Sequence, residues 1–230
     1  MISKIAESAA VAVRDIPDGA TLMIGGFGTA GQPVELIDAL LDQGASDLVI
    51  VNNNAGNGKT GLAALLAARR VRKIICSFPR QADSQIFDGL YRAGELELEL
   101  VPQGTLAERI RAGGAGIAAF FTPTAFGTTL AEGKETRRIN GRDYVLEEAL
   151  KADYALVKAH QGDRLGNLTY RKTARNFGPL MASAATTAVA QVSKIVQVGA
   201  LDPEAVVTPG IYVQWVVQVG GRLPPATEGQ

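Results

Sequence analysis

The residues with the clearest chemical potential lie between Asp18 and Pro33. They read as a turn at Asp18-Gly19, an apolar run Thr21-Leu22-Met23-Ile24, and a loop Gly25-Gly26-Phe27-Gly28-Thr29-Ala30-Gly31 that leads into Pro33. Glycines let a backbone turn through left-handed conformations and bring its N–H groups close to a ligand. A phosphate, a thioester or another carbonyl-like group is therefore expected over Gly25, Gly26, Phe27, Gly28, Thr29, Ala30 and Gly31; a tight turn that needs glycine for backbone reasons is the alternative. Pro33 suits the first helical turn, and Val34, Leu36, Ile37, Leu40 and Leu41 follow at helical spacing until Gly44.

Two familiar nucleotide motifs almost fit and both fail. Gly26 to Gly31 satisfies G-x-G-x-x-G, but a dinucleotide site needs an acidic residue about 20 positions on. Here the next strand-like run, Leu48–Val51, ends in Asn52-Asn53-Asn54. Gly58-Lys59-Thr60 looks like the end of a P-loop, yet the position that should hold its first glycine is Asn53.

Other candidates are spread along the chain. Asn52 and Asn53 end a strand, where ligands gather in parallel sheets, and neutral amides there can donate to a carboxylate or an oxyanion. An ordinary polar turn is the alternative. Gln103 also follows a strand. Arg80 follows the third strand and could receive a substrate carboxylate, since the guanidinium fork matches one best; a plain surface arginine is the alternative. Lys134, Arg137, Arg171, Lys172 and Arg175 could serve anionic ligands or form solvated faces. His160 is the only histidine and shows no partner constellation for base catalysis. Cys76 is the only cysteine, within Ile74-Ile75-Cys76, and reads as a buried, inert thiol. No group of residues suggests a metal site.

Taken as a whole, positions 18–33 resemble the glycine-loop signature of the family I coenzyme A transferases. Val101–Arg111, Ala131–Thr136 and Tyr170–Phe177 are similar to the alpha subunit of that family, so the resemblance spans nearly the whole chain. It implies transfer of coenzyme A between carboxylic acids, with a coenzyme A thioester as substrate and no tightly bound cofactor. It implies that Gln103 helps bind the substrate carboxylate. The reaction needs a carboxylate nucleophile and oxyanion donors. In the family that nucleophile is a glutamate of a Ser-Glu-Asn-Gly-like segment in the beta half, which this chain lacks. Its own glutamates read as solvated faces or ion-pair partners, so no catalytic residue is assigned to this chain.

The resemblance thus implies half an enzyme, completed by a beta subunit in a heterodimer or heterotetramer. Ser77-Phe78-Pro79-Arg80-Gln81 looks like the 3-oxoadipate branch, which implies succinyl-CoA as donor, 3-oxoadipate as acceptor and a place in the beta-ketoadipate route of aromatic catabolism. The acetoacetate or short-chain acid branch is the near alternative. A sugar-phosphate isomerase-like domain and a non-catalytic ligand-binding regulator are the alternatives from other classes.

These residues must be positioned by regular elements. Strand-like runs at Thr21–Ile24, Leu48–Val51, Lys73–Phe78, Leu96–Val101 and Ile117–Phe121 alternate with helical patterns at Pro33–Gln43, Leu62–Arg70, Gln81–Ala93 and Leu106–Ala112. That alternation predicts an α/β fold with a mostly parallel open sheet, helices on both faces and antiparallel hairpin additions. Glu95–Leu100 alternates strictly and is expected near a sheet edge. Asn140-Gly141 predicts a hairpin within Arg137–Leu146. A strand at Tyr154–Lys158 and a turn at Gly162–Asn167 are expected next. A long alanine-rich helix is expected from Gly178 to Val192, then strands at Ile195–Val198 and Ile211–Val219. Ile2, Ile5, Ala6, Ala9 and Val13 suggest an N-terminal surface helix.

The chain has 230 residues, 47% of them hydrophobic, with 23 basic and 23 acidic side chains. One domain over 1–220 with a flexible tail over 221–230 is expected. The charge balance argues against nucleic acid, and no apolar run approaches the roughly 20 residues of a membrane span. A single cysteine fits a reducing cytoplasm.

Overall fold

A computed structural model describes residues 2–220; the expected tail over 221–230 lies outside them. The elements are α1 (Ala9–Val13), β1 (Thr21–Ile24), α2 (Val34–Gln43), β2 (Leu48–Val51), α3 (Leu62–Ala67), β3 (Val71–Cys76), α4 (Gln85–Arg92), β4 (Glu97–Leu100), α5 (Gln103–Ala115) and β5 (Ala119–Thr122). There follow β6 (Thr136–Ile139), β7 (Arg142–Glu148), β8 (Ala152–Asp163), β9 (Leu168–Thr169), α6 (Gly178–Ala184), β10 (Ala185–Val196) and β11 (Trp215–Gln218).

Eight strands form one sheet in the order β11-β10-β8-β1-β2-β3-β4, with β9 pairing antiparallel to β8 and every other pair parallel. A parallel sheet must be covered on both faces, and this one is. Val13, Ile37, Leu65 and Phe87 of α1 to α4 pack one core. Leu106, Ile110 and Met181 of α5 and α6 pack the other. The strand order reverses at β1, which has β2 on one side and β8 on the other. The glycine loop therefore leaves the sheet at its switch point, where α/β sheets open a crevice.

β5, β7 and β6 form a separate antiparallel sheet, with the expected hairpin turning at Asn140-Gly141. A chain of charges ties it to β4 and α5. Lys73 Nζ and Arg109 Nη1 bind Glu99 at 2.7 and 2.9 Å, while Lys134 Nζ holds the buried Glu147 at 2.6 Å. Burial works against the ionised Glu99, but Lys73 and Arg109 outweigh it and hold the carboxyl below its usual range.

The alanine-rich segment does not form one long helix. α6 stops at Ala184, and Ala185–Val196 become β10. Alanine is a good helix former, but Thr186, Thr187, Val189 and Val192 are β-branched, and β8 offers a parallel partner along its whole length. Ala188, Ala190 and Val192 face one core, and Val189 faces the other. The expected strand at Ile195 is the end of β10. The N-terminal helix is also shorter than its periodicity suggests. It starts at Ala9 with Ser8 as its cap, because Ile5 instead pairs beside Val216 and covers the outer edge of β11. The Ile211–Val219 strand shortens to Trp215–Gln218, and β8 runs through to Asp163, so the following turn begins at Arg164. Pro33 precedes α2 instead of opening its first turn. The remaining ends shift by a few residues, except α5, which extends from Gln103 to Ala115.

Glycines in α5 divide into two kinds. A Cβ on Gly113 would lie 2.2 Å from the carbonyl oxygen of Leu150, whereas one on Gly104 meets nothing. Gly113→Ala is expected to destabilise the chain by about 1–3 kcal/mol through overpacking, and Gly104→Ala to stabilise it by about 0.5–1 kcal/mol. Thermal or urea unfolding of the two variants checks both signs.

Candidate functional site

Because β1, β2, β3 and β4 run parallel, the segments after them gather at one edge of the sheet. The glycine loop, Asn52–Asn54, Ser77–Gln81 and Gln103 meet there. The loop is tightly self-bonded. Gly25 N–H donates to Leu156 of β8 at 2.9 Å, Phe27 and Ala30 exchange backbone bonds, and Gly28 N–H donates to Asn54 Oδ1 at 2.9 Å. Gly26, at φ 135°, donates to Asn176 Oδ1 at 3.1 Å. Asn176 Nδ2 in turn donates to Ala30 and Thr173. The amides of Gly25, Gly26, Phe27, Gly28 and Ala30 are thus engaged within the chain. The loop instead presents a rigid backbone, the half-exposed ring of Phe27 and the exposed Thr29.

The asparagine run is divided by its geometry. Asn52 is buried, with Nδ2 on the carbonyl of Ile24 at 2.6 Å and Oδ1 on Asn54 N–H at 2.8 Å, so its side chain locks β1 to β2 and does not face a ligand. Asn53 Oδ1 accepts from Ser77 Oγ at 2.8 Å and from Gln103 Nε2 at 2.9 Å. Its Nδ2 donates to Asn54 Oδ1 at 3.1 Å, and Asn54 Nδ2 reaches the carbonyl of Phe78. Gln103 opens α5, directly after Pro102.

Two cavities lie against these segments. The smaller, about 410 Å³, is lined by Phe27, Asn53, Asn54, Ser77, Phe78, Gln81 and Gln103. The larger, about 670 Å³, is lined by Phe27, Ala30, Lys172, Thr173, Arg175 and Asn176. Phe27 borders both. Among the described residues that line them there is no carboxylate. Arg80 is not a lining residue of either, because its Nε is held by Asp88 Oδ1 of α4 at 2.7 Å. The structure therefore joins Asn53 and Gln103 to the glycine loop and leaves Asn52 and Arg80 out of the cavities.

Sequence reasoning gives no separate role to Ser77, Gln81 or Asn176, while Asn54 belongs to the asparagine run that it singles out. Asn176 lies within the segment Tyr170–Phe177, which carries the family resemblance, but nothing in its spacing says that it binds a loop 150 residues away. His160 sits in β8 and lines neither cavity. Burial pushes the Tyr170 phenol up to about 12, against the hydrogen bond with Thr208 and the nearby charge of Arg175, so it stays protonated at neutral pH. Burial likewise pushes the Cys76 thiol up to about 12.

A mostly parallel α/β sheet with a crevice at its switch point is a fold shared by many activities; the sequence comparisons supply the family. The chain belongs to the Coenzyme A transferase family, whose model matches residues 6–219. It is 67% identical to a 3-oxoadipate CoA-transferase subunit of Pseudomonas putida, over 96% of both chains. It is 64% identical to the protein of the same name from Acinetobacter baylyi, over 95% of this chain and 96% of that one. In fold it is similar to the acyl-CoA transferase YdiF of Escherichia coli O157:H7, at a TM-score of 0.83 and 23% identity. That match covers 95% of this chain and 47% of YdiF, so the chain spans about half of that longer polypeptide.

Glycine loop and thiol each generate an expectation. A Cβ on Gly31, at φ 74°, would lie 2.5 Å from the Ala174 carbonyl oxygen, while one on Gly28, at φ 60°, meets only Gln81 Nε2 at 3.5 Å. Asparagine tolerates positive φ, so Gly28→Asn is expected to cost under about 1 kcal/mol and Gly31→Asn several-fold more. Urea unfolding compares them. For Cys76, the reactive thiolate is absent well below pH 12. Iodoacetamide at about pH 8.5 is expected to spare the native chain and to alkylate it rapidly in urea, where the thiol regains its ordinary acidity, as mass spectrometry would show.

Proposed function

We propose that this chain is the alpha half of a two-chain enzyme that moves coenzyme A from succinyl-CoA to 3-oxoadipate. The observation that carries the reading is the lining of the two cavities, which offers amides, two hydroxyls, aromatic rings and cations but no nucleophilic carboxylate among the described residues. The high identity to two proteins named for 3-oxoadipate CoA transfer supports the substrate, and their naming as subunits supports a partner.

In this reading a glutamate of the partner attacks the thioester carbonyl of succinyl-CoA. The C–S bond breaks, giving an acyl anhydride and the coenzyme A thiolate. The thiolate then attacks the glutamyl carbonyl, releasing succinate and leaving a glutamyl thioester. 3-Oxoadipate reverses the sequence through its own carboxylate and departs as the new thioester. Each attack places negative charge on a carbonyl oxygen, so neutral donors at fixed positions favour it. Asn53 and Gln103 are proposed to supply that polarity at the smaller cavity, held by Ser77 and by one another. The glycine loop, Gly25 to Gly31, is proposed to border the thioester through shape and through the face of Phe27. Neutral amides suit this role because a cation beside the glutamate would quench its nucleophilicity. A cytoplasmic setting, a place in aromatic catabolism and assembly as a heterodimer or heterotetramer complete the proposal. An isomerase-like domain would need an acid and a base of its own at the cavities.

The purified chain alone is expected to fold and to transfer no coenzyme A from succinyl-CoA to 3-oxoadipate. Co-expressed with its partner it is expected to turn over. Hydroxylamine or borohydride trapping during turnover should mark a glutamate of the other polypeptide. Robust transfer by the lone chain would sink the reading.

A further inference from the structure

No aspartate or glutamate occurs between Asp163 and Asp202. Within that stretch Arg171, Lys172 and Arg175 are all exposed, at the short 3-10 turn Lys172–Arg175. Among the described residues neither Lys172 nor Arg175 forms an ion pair, whereas Arg80 is held by Asp88. Both line the larger cavity, which Phe27 separates from the amide-lined smaller one. The turn is also held in place. Asn176 bonds it to Gly26 and Ala30, and Gly31 packs against Ala174 without a side chain. Lys172 itself sits at φ 52°, a left-handed backbone that only the surrounding structure maintains for a lysine.

We propose that Lys172 and Arg175 form the receptor for the non-reacting carboxylate of a dicarboxylic acyl substrate, with Phe27 against its methylene chain. The inference rests on the transferase reading above. Two uncompensated cations fixed at one wall of a cavity attract an anion, and an arginine offers a carboxylate two parallel hydrogen bonds. The reacting carboxyl then lies on the other side of Phe27, among Asn53, Gln103 and Ser77. The two cavities meet at one residue, Phe27. The phosphates of coenzyme A stand a whole pantetheine arm away from the reacting carbon. Succinate and 3-oxoadipate both carry a second carboxylate, so one receptor serves both half-reactions. Acetoacetate has none. The pair replaces Arg80, already held by Asp88, as the cation that sets substrate choice.

The test uses the chain assembled with its partner, in the variants Arg175→Met, Arg175→Lys and Lys172→Gly. Glycine accepts a left-handed backbone more readily than lysine, so loss of the Lys172 ammonium is separated from misfolding. In a ping-pong reaction the kcat/KM of an acceptor is independent of the donor step. Arg175→Met and Lys172→Gly are expected to lower it roughly 10–100-fold for 3-oxoadipate and less than about 3-fold for acetoacetate, with Arg175→Lys recovering part of the loss. Calorimetry with succinate, which needs no turnover, should show binding to the unaltered assembly and weakened binding to both charge-removing variants. Succinate bound in this pattern without any coenzyme A transfer would overturn the transferase reading and keep the receptor. Equal losses on both acceptors, or weakened coenzyme A binding with the acceptor ratio unchanged, would overturn the receptor. Variants that assemble with the partner and keep the unaltered acceptor ratio would overturn it too.

Discussion

The edge of the sheet where the loops after β1 to β4 gather depends on a contact that a side chain would abolish. Gly31 lies against the backbone of Ala174 so closely that a Cβ would come within 2.5 Å of its carbonyl oxygen. That approach lets Asn176 satisfy Gly26 N–H and the carbonyls of Ala30 and Thr173 at the same time. Left unpaired, the Gly26 N–H and the Ala30 carbonyl, both at least half-buried, would each cost about 1–3 kcal/mol. The contact thus joins the loop after β1 to the turn after β9, two segments that are remote in sequence, and sets the position of Phe27 between the two cavities.

The chemistry at that edge is divided by charge. On the β2–β4 side, Asn53, Asn54, Ser77 and Gln103 form a connected network in which Asn53 Oδ1 and Asn54 Oδ1 each accept two hydrogen bonds. Such a network is rigid because a change at any member leaves another unpaired. On the β8–β9 side the surface is cationic, with no acid nearby in the sequence to neutralise it. Phe27 stands between a neutral polar wall and a positive one. A substrate that carries one reacting carboxyl and one spectator carboxylate matches both.

Several carboxylates of this chain lie away from these cavities and have partners. Glu99 and Glu147 belong to the Lys73–Glu99–Arg109–Glu147–Lys134 chain that fastens the small antiparallel sheet to the edge strand β4. Glu35 pairs with the buried Gln191, whose Oε1 accepts from Leu36 N–H at 3.2 Å and so orients the start of α2. These acids are structural by geometry, which is consistent with a nucleophile supplied from outside the chain.

Much of this was legible in the sequence by itself. The alternation of apolar strands with amphipathic helices specified a parallel α/β sheet, because local periodicity and glycine stops are properties of neighbouring residues. The Glu-Leu alternation placed β4 at an edge, Asn140-Gly141 placed the hairpin, and the extended motif around the glycine loop pointed to the transferase family. Pairings between distant segments were decided only by the tertiary structure. Alanine's helical preference is weak enough that Ala185–Val196 followed the long partner that β8 offered. The roles of Asn52, Asn53 and Asn54 differ although the residues are identical, because strand geometry turns one inward and the others toward Gln103, Ser77 and Gly28. Arg80 and Arg175 look alike in a sequence. One meets Asp88 on the helix that follows it, and the other forms no ion pair among the described residues, a difference that exists only once the chain has folded.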